Sequence, residues 1–326
     1  MKRHFIIALA LAAALSVQCR QAGPAPRPTI PLVLSVAADT TGAGHVAAHA
    51  GAAGAAGHIA LLGESKPTLR LAGMFLTADR VDNIDGRPVR DSLPDFAGET
   101  FDVMLDHPHE PYARYFRSGA RPDSLREVAV RGALCAWDSL SRAKILILTS
   151  PLHAGYGYFD IDTLQQLKGG RCHVLTPVHE SLRAALDGGA RHIAVCTEDT
   201  VRRSGVWEGV LRELSPETRL TVLSPRPQQD SCSALESFAR QYRPLASSVD
   251  ALVMDSSALP ADSLRAYLQA DTCTLTALLP SRLRLLDPDD CLVQACCSLL
   301  RRENLFSHRI QLPAANYYSL PETPAP

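Results

Sequence analysis

A short polar stretch follows an apolar run in the middle of the chain. Residues 145–157 read ILILTSPLHAGYG, so Thr149 and Ser150 come directly after four β-favouring apolar residues. A buried parallel strand delivers the side chains at its carboxyl end to the mouth of an α/β site. Ser150 is therefore a candidate nucleophile with His153 or His173 as its base, or a hydroxyl that caps the strand or touches a ligand. No Gly-x-Ser-x-Gly sequence surrounds Ser150 and no Ser-His-acid pattern is recognisable, which favours the second interpretation.

A second polar group lies in residues 105–113, LDHPHEPYA. Its acidic residues and histidines are of the types that bind metals: Asp106, His107, His109 and Glu110. Because Pro108 separates the two histidines in a segment that leaves a predicted strand, we favour a solvated loop and predict no metal and no cofactor.

Two further sets of residues keep alternatives open. Cys196 ends another apolar run. It could serve as a substitute nucleophile, although a buried structural cysteine is favoured. The aromatic side chains of Tyr156, Tyr158 and Phe159 either line a ligand pocket or pack between domains.

Strand-like runs alternate with helical patterns over residues 30–312. The runs are 32–37, 101–105, 144–149, 173–176, 192–197, 219–223, 251–254 and 275–279. This alternation predicts an α/β fold with parallel sheets and helical crossovers. Segment 63–100 interrupts the alternation with turn dipeptides, and we predict an insertion there, with a hairpin and a loop.

Composition and charge restrict the function. The chain has 326 residues, of which 46% are hydrophobic, enough for two ordinary domains. Lys and Arg number 33 against 34 Asp and Glu, so neither nucleic acid nor an anionic membrane surface is an expected partner. Because the cysteines form no Cys-x-x-Cys pair, buried free thiols are favoured over a metal site or a disulfide framework.

The N-terminus is built like a secretory signal. Lys2 and Arg3 precede an apolar run over 5–17, which is too short to span a bilayer comfortably. We therefore expect export to the periplasm or outer membrane of a bacterium, either as a lipoprotein anchored through lipidated Cys19 or after ordinary cleavage near Ser16. The predicted organisation is a signal at 1–19, a linker at 20–29, α/β domains at 30–170 and 171–286, a helix at 287–305 that packs back on the first domain, and a Pro-rich tail at 306–326.

Several segments, taken in order, resemble those of glutamate racemases in the aspartate/glutamate racemase superfamily. They are 105–113 followed by the SLRE helix start at 124–127 and a Lys-led strand, then 176–207, 249–260 and 285–300. The resemblance implies two similar α/β domains with parallel sheets and a substrate cleft between them.

The resemblance also implies where the reaction would occur. Racemases of this family use one cysteine thiolate to remove the α-proton and a second cysteine thiol to supply one on the opposite face. A thiol, with a pKa of ~8.5 that its neighbours can lower, suits this exchange near neutral pH. Here the two cysteine positions fall on Ser150 and Ser256. A serine alkoxide is far harder to form, so the symmetric thiol pair is absent.

Neighbouring positions depart from the family as well. Pro151-Leu152 replace Asn-Thr after the first cysteine position, and Ser257-Ala258 replace Thr-His after the second. The Pro-Tyr-Gly motif persists as Pro111-Tyr112-Ala113, and Asp39-Thr40 resembles the Asp-Ser-Gly motif that follows the first strand. The candidate site therefore comprises the catalytic positions Ser150, Ser256 and Asp39 and the ligand contacts Thr40, Pro111, Tyr112, Ala113, Thr149 and Ser257.

These substitutions predict an exported, catalytically degenerate racemase-like protein. Its expected partner is a small ligand, an amino acid or a peptidoglycan fragment, bound between the domains; homo-oligomerisation stays open. One alternative is an active isomerase, racemase or lyase acting on an amino acid or dicarboxylic acid through Ser150, Ser256 or Cys196. Another is an interaction protein whose cleft is vestigial.

Overall fold

Two parallel sheets organise the chain. The computed structural model describes residues 28–83, 86–117, 121–138, 142–226, 234–255, 259, 261–264 and 282–322. Sheet A has the order β4-β3-β1-β2-β9, with β1 His58–Gly63, β2 Thr100–Leu105, β3 Ala143–Leu148, β4 His173–Leu175 and β9 Ala314–Ser319. Sheet B has the order β6-β5-β7-β8, with β5 His192–Thr197, β6 Arg219–Leu223, β7 Ala251–Asp255 and β8 Arg284–Leu286. Every pairing within the two sheets is parallel, which confirms the predicted fold class.

Helices connect the strands. They are α1 Pro31–Ala38, α2 Gly42–Ala48, α3 Ser65–Thr77, α4 Asp123–Trp137, α5 Pro151–Gly155, α6 Tyr158–Lys168, α7 Pro177–Asp187, α8 Asp199–Ser204, α9 Val206–Leu214, α10 Ala234–Tyr242 and α11 Pro288–Arg302. Short 3₁₀ turns lie at Gly54–Ala56, Tyr112–Phe116 and Arg243–Leu245. In the part of the chain that is described, no helix has both the length and the hydropathy that crossing a membrane requires.

The alternation of side chains along the strands builds a core on each face of sheet A. Ala60 and Leu62 of β1 pack with helices α1, α4 and α6, whereas Ile59 and Leu61 pack with α3 and α11. Both faces are therefore covered, as is typical of a buried parallel sheet. Helix α11 contributes Leu292 and Cys296 to the second core.

Helices α7 and α11 carry the chain between the sheets. Helix α7 follows β4 of sheet A and precedes β5 of sheet B, and α11 follows β8 of sheet B and precedes β9 of sheet A. The two helices pack against each other. The relative position of the sheets therefore depends on this helix pair.

Three sequence predictions were wrong in detail. Residues 32–37 lie in helix α1, because Pro31 at its first position favours a helix start and Val33 and Val36 share its buried face. Segment 63–100 begins with helix α3, not a hairpin, since Leu71, Ala72 and Phe75 form one apolar face. The supposed tail contains β9, which pairs along its whole length with β2. The predicted strand at 275–279 lies outside the described residues.

The described cysteines carry free thiols, as predicted. They are Cys135, Cys172, Cys196, Cys291, Cys296 and Cys297, and all but Cys135 are buried. Cys19, Cys232 and Cys273 lie outside the described residues.

Candidate functional site

The three central strands of sheet A end side by side. Because β3, β1 and β2 are adjacent and parallel, the residues that follow them lie together at the carboxyl end of the sheet. These residues are Glu64 and Ser65 after β1, Asp106 after β2, and Thr149 and Ser150 after β3. The sequence prediction placed Ser150 at the carboxyl end of a strand but did not include Glu64.

Glu64 joins two of the predicted site residues. Its Oε1 accepts a hydrogen bond from the Tyr112 backbone N–H at 3.0 Å, and its Oε2 accepts one from the Ser150 hydroxyl at 3.4 Å. Burial raises the pKa of the Glu64 carboxyl, and the charges of Glu110 and Glu198 raise it further, against the lowering effect of these two hydrogen bonds. Glu64 is thus a half-buried carboxyl group at the centre of the site.

Ser150 is the N-cap residue of α5 and is 2% exposed. Its hydroxyl faces the Glu64 carboxylate, and a neighbouring negative charge opposes ionisation of a hydroxyl. Ser150 therefore acts as a neutral hydrogen-bonding group.

Thr149 is buried and bonds within the sheet. Its Oγ1 lies 2.7 Å from the Thr68 Oγ1 and donates to the Leu62 carbonyl at 3.2 Å. A Cβ at Gly63 would lie 2.2 Å from the same oxygen, so glycine is needed there. This hydroxyl joins β1, β3 and α3, and a ligand contact of Thr149 stays a prediction.

Tyr112 anchors the loop after β2. Its hydroxyl donates to Asp106 Oδ2 at 2.8 Å, and the His109 Nδ1 lies 2.5 Å from Asp106 Oδ1. Burial, and then the Asp106 charge, raise the pKa of the Tyr112 phenol. Tyr112 is therefore a neutral donor that positions Pro111 and Ala113, on either side of it, beside Glu64.

The outer part of the same loop holds a more exposed acid. Glu110 accepts hydrogen bonds from the Ser65 backbone N–H at 2.8 Å and the Ser65 hydroxyl at 3.0 Å, and the His107 Nδ1 is 3.2 Å from it. Within the described residues, no three His, Cys, Asp or Glu side chains form a group that could hold a metal ion. The loop thus presents a carboxylate next to Glu64.

The carboxyl ends of sheet B add further acids. Thr197 donates its hydroxyl to Asp255 Oδ2 at 2.8 Å. Burial raises the pKa of Asp255 to about 8, and the charges of Asp289 and Glu198 contribute to the rise. The charge of Glu198, which follows β5 of sheet B, also raises the pKa of Glu64, which follows β1 of sheet A. The carboxylates at the carboxyl ends of the two sheets therefore interact electrostatically. Ser256 and Ser257, which follow Asp255, lie outside the described residues.

Asp39 and Thr40 follow a helix and not the first strand of sheet A. Asp39 accepts hydrogen bonds from the backbone N–H groups of Thr41 at 2.9 Å and Gly44 at 3.0 Å, which lower its pKa, while Thr40 is exposed. Asp39 caps helix α2, and because 31–38 is a helix it does not follow a strand. The first strand of sheet A is β1, so Glu64-Ser65 hold the position that we assigned to Asp39-Thr40. In the sequence, the apolar run at 58–63 could have indicated a strand that ends directly before Glu64-Ser65.

One alternative base, His153, and the alternative nucleophile, Cys196, are buried. His153 is fully buried, and no described residue forms a hydrogen bond with either of its ring nitrogens; burial lowers its pKa to about 3. His173 lies on the edge strand β4. Cys196 is buried within β5, and burial raises the pKa of its thiol.

The aromatic residues after Ser150 pack against other rings. The Tyr156 ring lies 4.9 Å from Phe116, and the Tyr158 ring lies 4.2 Å from the His179 ring. This favours packing over a pocket at the Ser150 site.

Solved structures resemble this architecture. The glutamate racemase isoform RacE1 from Bacillus anthracis aligns with a TM-score of 0.54 at 14% identity over 81% of this chain and 88% of the other. The glutamate racemase from Francisella tularensis in complex with D-glutamate gives 0.54 at 12% identity over 81% and 89%. The chain has the fold of the glutamate racemases. The resemblance drawn from the sequence segments is confirmed at the level of this fold.

A third solved structure has the same fold. The glutamate racemase from Thermus thermophilus in complex with β-chloro-D-alanine gives a TM-score of 0.52 at 15% identity over 82% of this chain and 89% of the other. No protein-family model and no curated protein sequence matches the chain. The candidate site on this racemase fold is the carboxyl end of sheet A, where Glu64 and Ser150 lie.

Proposed function

We propose that this chain is an exported protein of the racemase fold that binds a small amine-bearing ligand at Glu64 and does not racemise glutamate. The hydrogen bond from Ser150 to Glu64 carries the proposal. The resemblance assigns the first thiolate to the position of Ser150, where this chain has a neutral hydroxyl beside a carboxylate. No thiol is present at this position to exchange a proton. Serine also replaces the second cysteine, at Ser256.

The charge of the site selects the ligand. Glu64, Glu110 and Glu198 place negative charge around Ser150. A dicarboxylate such as glutamate meets like charge here, whereas an ammonium group is attracted to the partly buried Glu64 carboxyl. An amino-acid-sized ligand is supported by the two solved relatives in complex with D-glutamate and β-chloro-D-alanine. An amine without a second carboxylate fits the acids of this chain better than glutamate does.

Titration calorimetry with a matched pair of probes tests the ligand class. Alaninamide has an ammonium group without a carboxylate, and N-acetylalanine has a carboxylate without an ammonium group. We expect alaninamide to bind, glutamate and N-acetylalanine to bind at least tenfold more weakly, and Glu64→Gln to weaken alaninamide at least tenfold. The exposed Glu217→Gln is the control and is expected to leave binding unchanged.

The absence of racemisation is tested separately. Purified protein in deuterated water is incubated with L- and D-glutamate, and the α-proton signal is followed by NMR. Exchange above that of a protein-free sample would overturn the proposal, and equal binding of glutamate and alaninamide would overturn the ligand class.

A second candidate function uses Glu64 as a base. Its raised pKa brings the carboxyl closer to the range in which it can take and return protons near neutral pH. An isomerase of this kind would exchange the α-proton of alaninamide in deuterated water, and Glu64→Gln would abolish the exchange. Exchange that persists in Glu64→Gln would exclude Glu64 as the base.

Export is the part of the proposal that the N-terminus supports. Lys2, Arg3 and the apolar run over 5–17 have the order of a signal. Residues 1–29 fused to a reporter that is active only outside the cytoplasm are expected to give activity in a Gram-negative host. Cys19→Ser is expected to abolish labelling by radioactive palmitate if the protein is lipidated. A reporter that stays inactive would contradict export.

A further inference from the structure

A cavity lies away from the Glu64 site. It has a volume of about 760 Å³ and is bounded by the edge strand β4, helix α6 and the two crossing helices α7 and α11. None of the residues that line it belongs to the Glu64 site. A cavity of this size accommodates a ligand larger than a single amino acid.

Gln165 provides an unsatisfied group in this cavity. The residue lies on α6, is 6% exposed and lines the cavity. Its Oε1 is buried, and no donor from the described residues lies within hydrogen-bonding distance of it. Because buried amide oxygens are normally paired, an unpaired one beside a cavity is a candidate to accept a hydrogen bond from a bound molecule.

The walls also carry charges of both signs. Arg183, Arg284 and Arg302 face the same space as Asp162, Glu180 and Asp187. The three acids disfavour a polyphosphate, and the three arginines disfavour a polyamine. A ligand with one ammonium group and one carboxylate matches this lining.

Arg284 is held in place by a hydrogen bond and has further N–H donors. Its Nη1 donates to the Ala184 carbonyl at 2.9 Å, and a guanidinium group has five N–H donors. A Cβ at Gly188 would lie 1.1 Å from this nitrogen, so the glycine makes room for the guanidinium group. The remaining donors can bind a carboxylate.

The backbone edge of β4 indicates the kind of ligand. Among the described strands, β4 pairs with β3 alone, and His173, Val174 and Leu175 line the cavity. A free strand edge offers N–H and C=O groups that match those of an extended peptide. We propose that this cavity binds a short peptide with free termini, whose N–H groups reach Gln165 and whose carboxylate reaches an arginine.

Titration calorimetry on the full chain with trialanine tests the proposal. Trialanine has both termini, alanine is too short, and N-acetyl-trialanine amide lacks both charges. We expect trialanine to bind at least tenfold more tightly than either control. Failure of the wild-type chain to bind trialanine at millimolar concentration would overturn the proposal.

Variants locate the binding site. Ser298→Trp places a large ring in the cavity from an exposed position on α11 and is expected to weaken trialanine binding at least tenfold. Ser247→Trp, at an exposed serine outside the cavity, is expected to bind like the wild type. Trialanine binding that survives Ser298→Trp but is lost in Glu64→Gln would overturn the cavity and assign the peptide to the Glu64 site.

Gln165→Leu separates a ligand contact from a structural role. The variant removes the unpaired amide but keeps a similar volume, so we expect an unchanged or higher Tm for the free protein and at least tenfold weaker trialanine binding. Unchanged binding would overturn the role of Gln165. A lower Tm would show that the amide is used within the fold, which would also overturn it.

Discussion

Ser150 and Glu64 determine what chemistry the sheet edge can perform. If Ser150 is replaced by cysteine, the new thiol lies in a buried position beside a carboxylate. We expect its pKa to lie above the ordinary ~8.5, because both burial and negative charge oppose the thiolate. The ultraviolet absorbance of the thiolate, followed against pH, measures this. Glu64→Gln in the same chain is expected to lower the thiol pKa, and a thiol pKa below the ordinary value in Ser150→Cys would contradict the geometry.

Tyr112 is expected to be needed for stability. Tyr112→Phe removes the donor to the buried Asp106 and leaves that carboxylate with one partner fewer. The free energy of unfolding is expected to fall by about 1–3 kcal/mol, measured in urea. Tyr115→Phe is the control, because the half-buried Tyr115 hydroxyl meets only Arg114 in the hydrogen bonds described. A larger loss for Tyr115→Phe would argue against the Asp106 network.

Asp255 is expected to make stability depend on pH. Its pKa rises from 3.8 to about 8, so between these values the folded chain keeps a proton that the unfolded chain releases. Stability from this group is therefore present at low pH and is lost as the pH rises to about 8. We expect the stability of Asp255→Asn relative to the wild type to increase by up to about 1.4 kcal/mol per pH unit over this window. A relative stability that is independent of pH would contradict the raised pKa.

The candidate site could be predicted only in part from the residues. Ser150 and Tyr112 stood out because a recognisable polar motif follows an apolar run in each case. Glu64 did not, because the short run at 58–63 follows a Gly- and Ala-rich segment and resembles part of a loop. The error at Asp39 has the same origin, since a helix was mistaken for the first strand.

At the scale of elements, short apolar runs were the source of error. Residues 32–37 contain β-branched side chains and satisfy a strand pattern and a helix pattern equally well. Pro31 and the burial of Val33 and Val36 decide in favour of the helix. The long alternation through β2, β3, β5 and β7 was predictable because each buried strand there is bounded by turn residues. Periodicity alone cannot separate a short buried strand from a helical segment.

Strand β9 completes the edge of sheet A. A chain that ends at residue 312 lacks β9 and leaves the edge of β2 unpaired. Because an exposed edge pairs readily with other chains, we expect a lower Tm and concentration-dependent aggregation, measured by calorimetry and light scattering. A chain that ends at residue 322 keeps β9 and is expected to match the full-length protein. An equal Tm for both truncations would show that β9 contributes nothing to stability.

At the scale of the molecule, the buried His153 is expected to weaken the fold at acidic pH. The pKa of His153 falls from 6.5 to about 3, so the folded chain excludes a proton that the unfolded chain binds. Stability from this group is present above pH 6.5 and is lost as the pH falls towards 3. His153→Phe keeps an aromatic ring against Tyr112, and we expect its stability relative to the wild type to increase as the pH falls below 6.5. A difference that does not change between pH 7 and 4 would contradict this account.

The two crossings between the sheets place distant parts of the sequence in one sheet. Sheet A contains residues 58–63 and also 314–319, with all of sheet B encoded between them. During synthesis, sheet A therefore cannot be completed until residues 314–319 have left the ribosome, after all of sheet B. Pairing between such distant segments is slow to form. The edge of β2 that β9 covers therefore stays unpaired throughout the synthesis of sheet B.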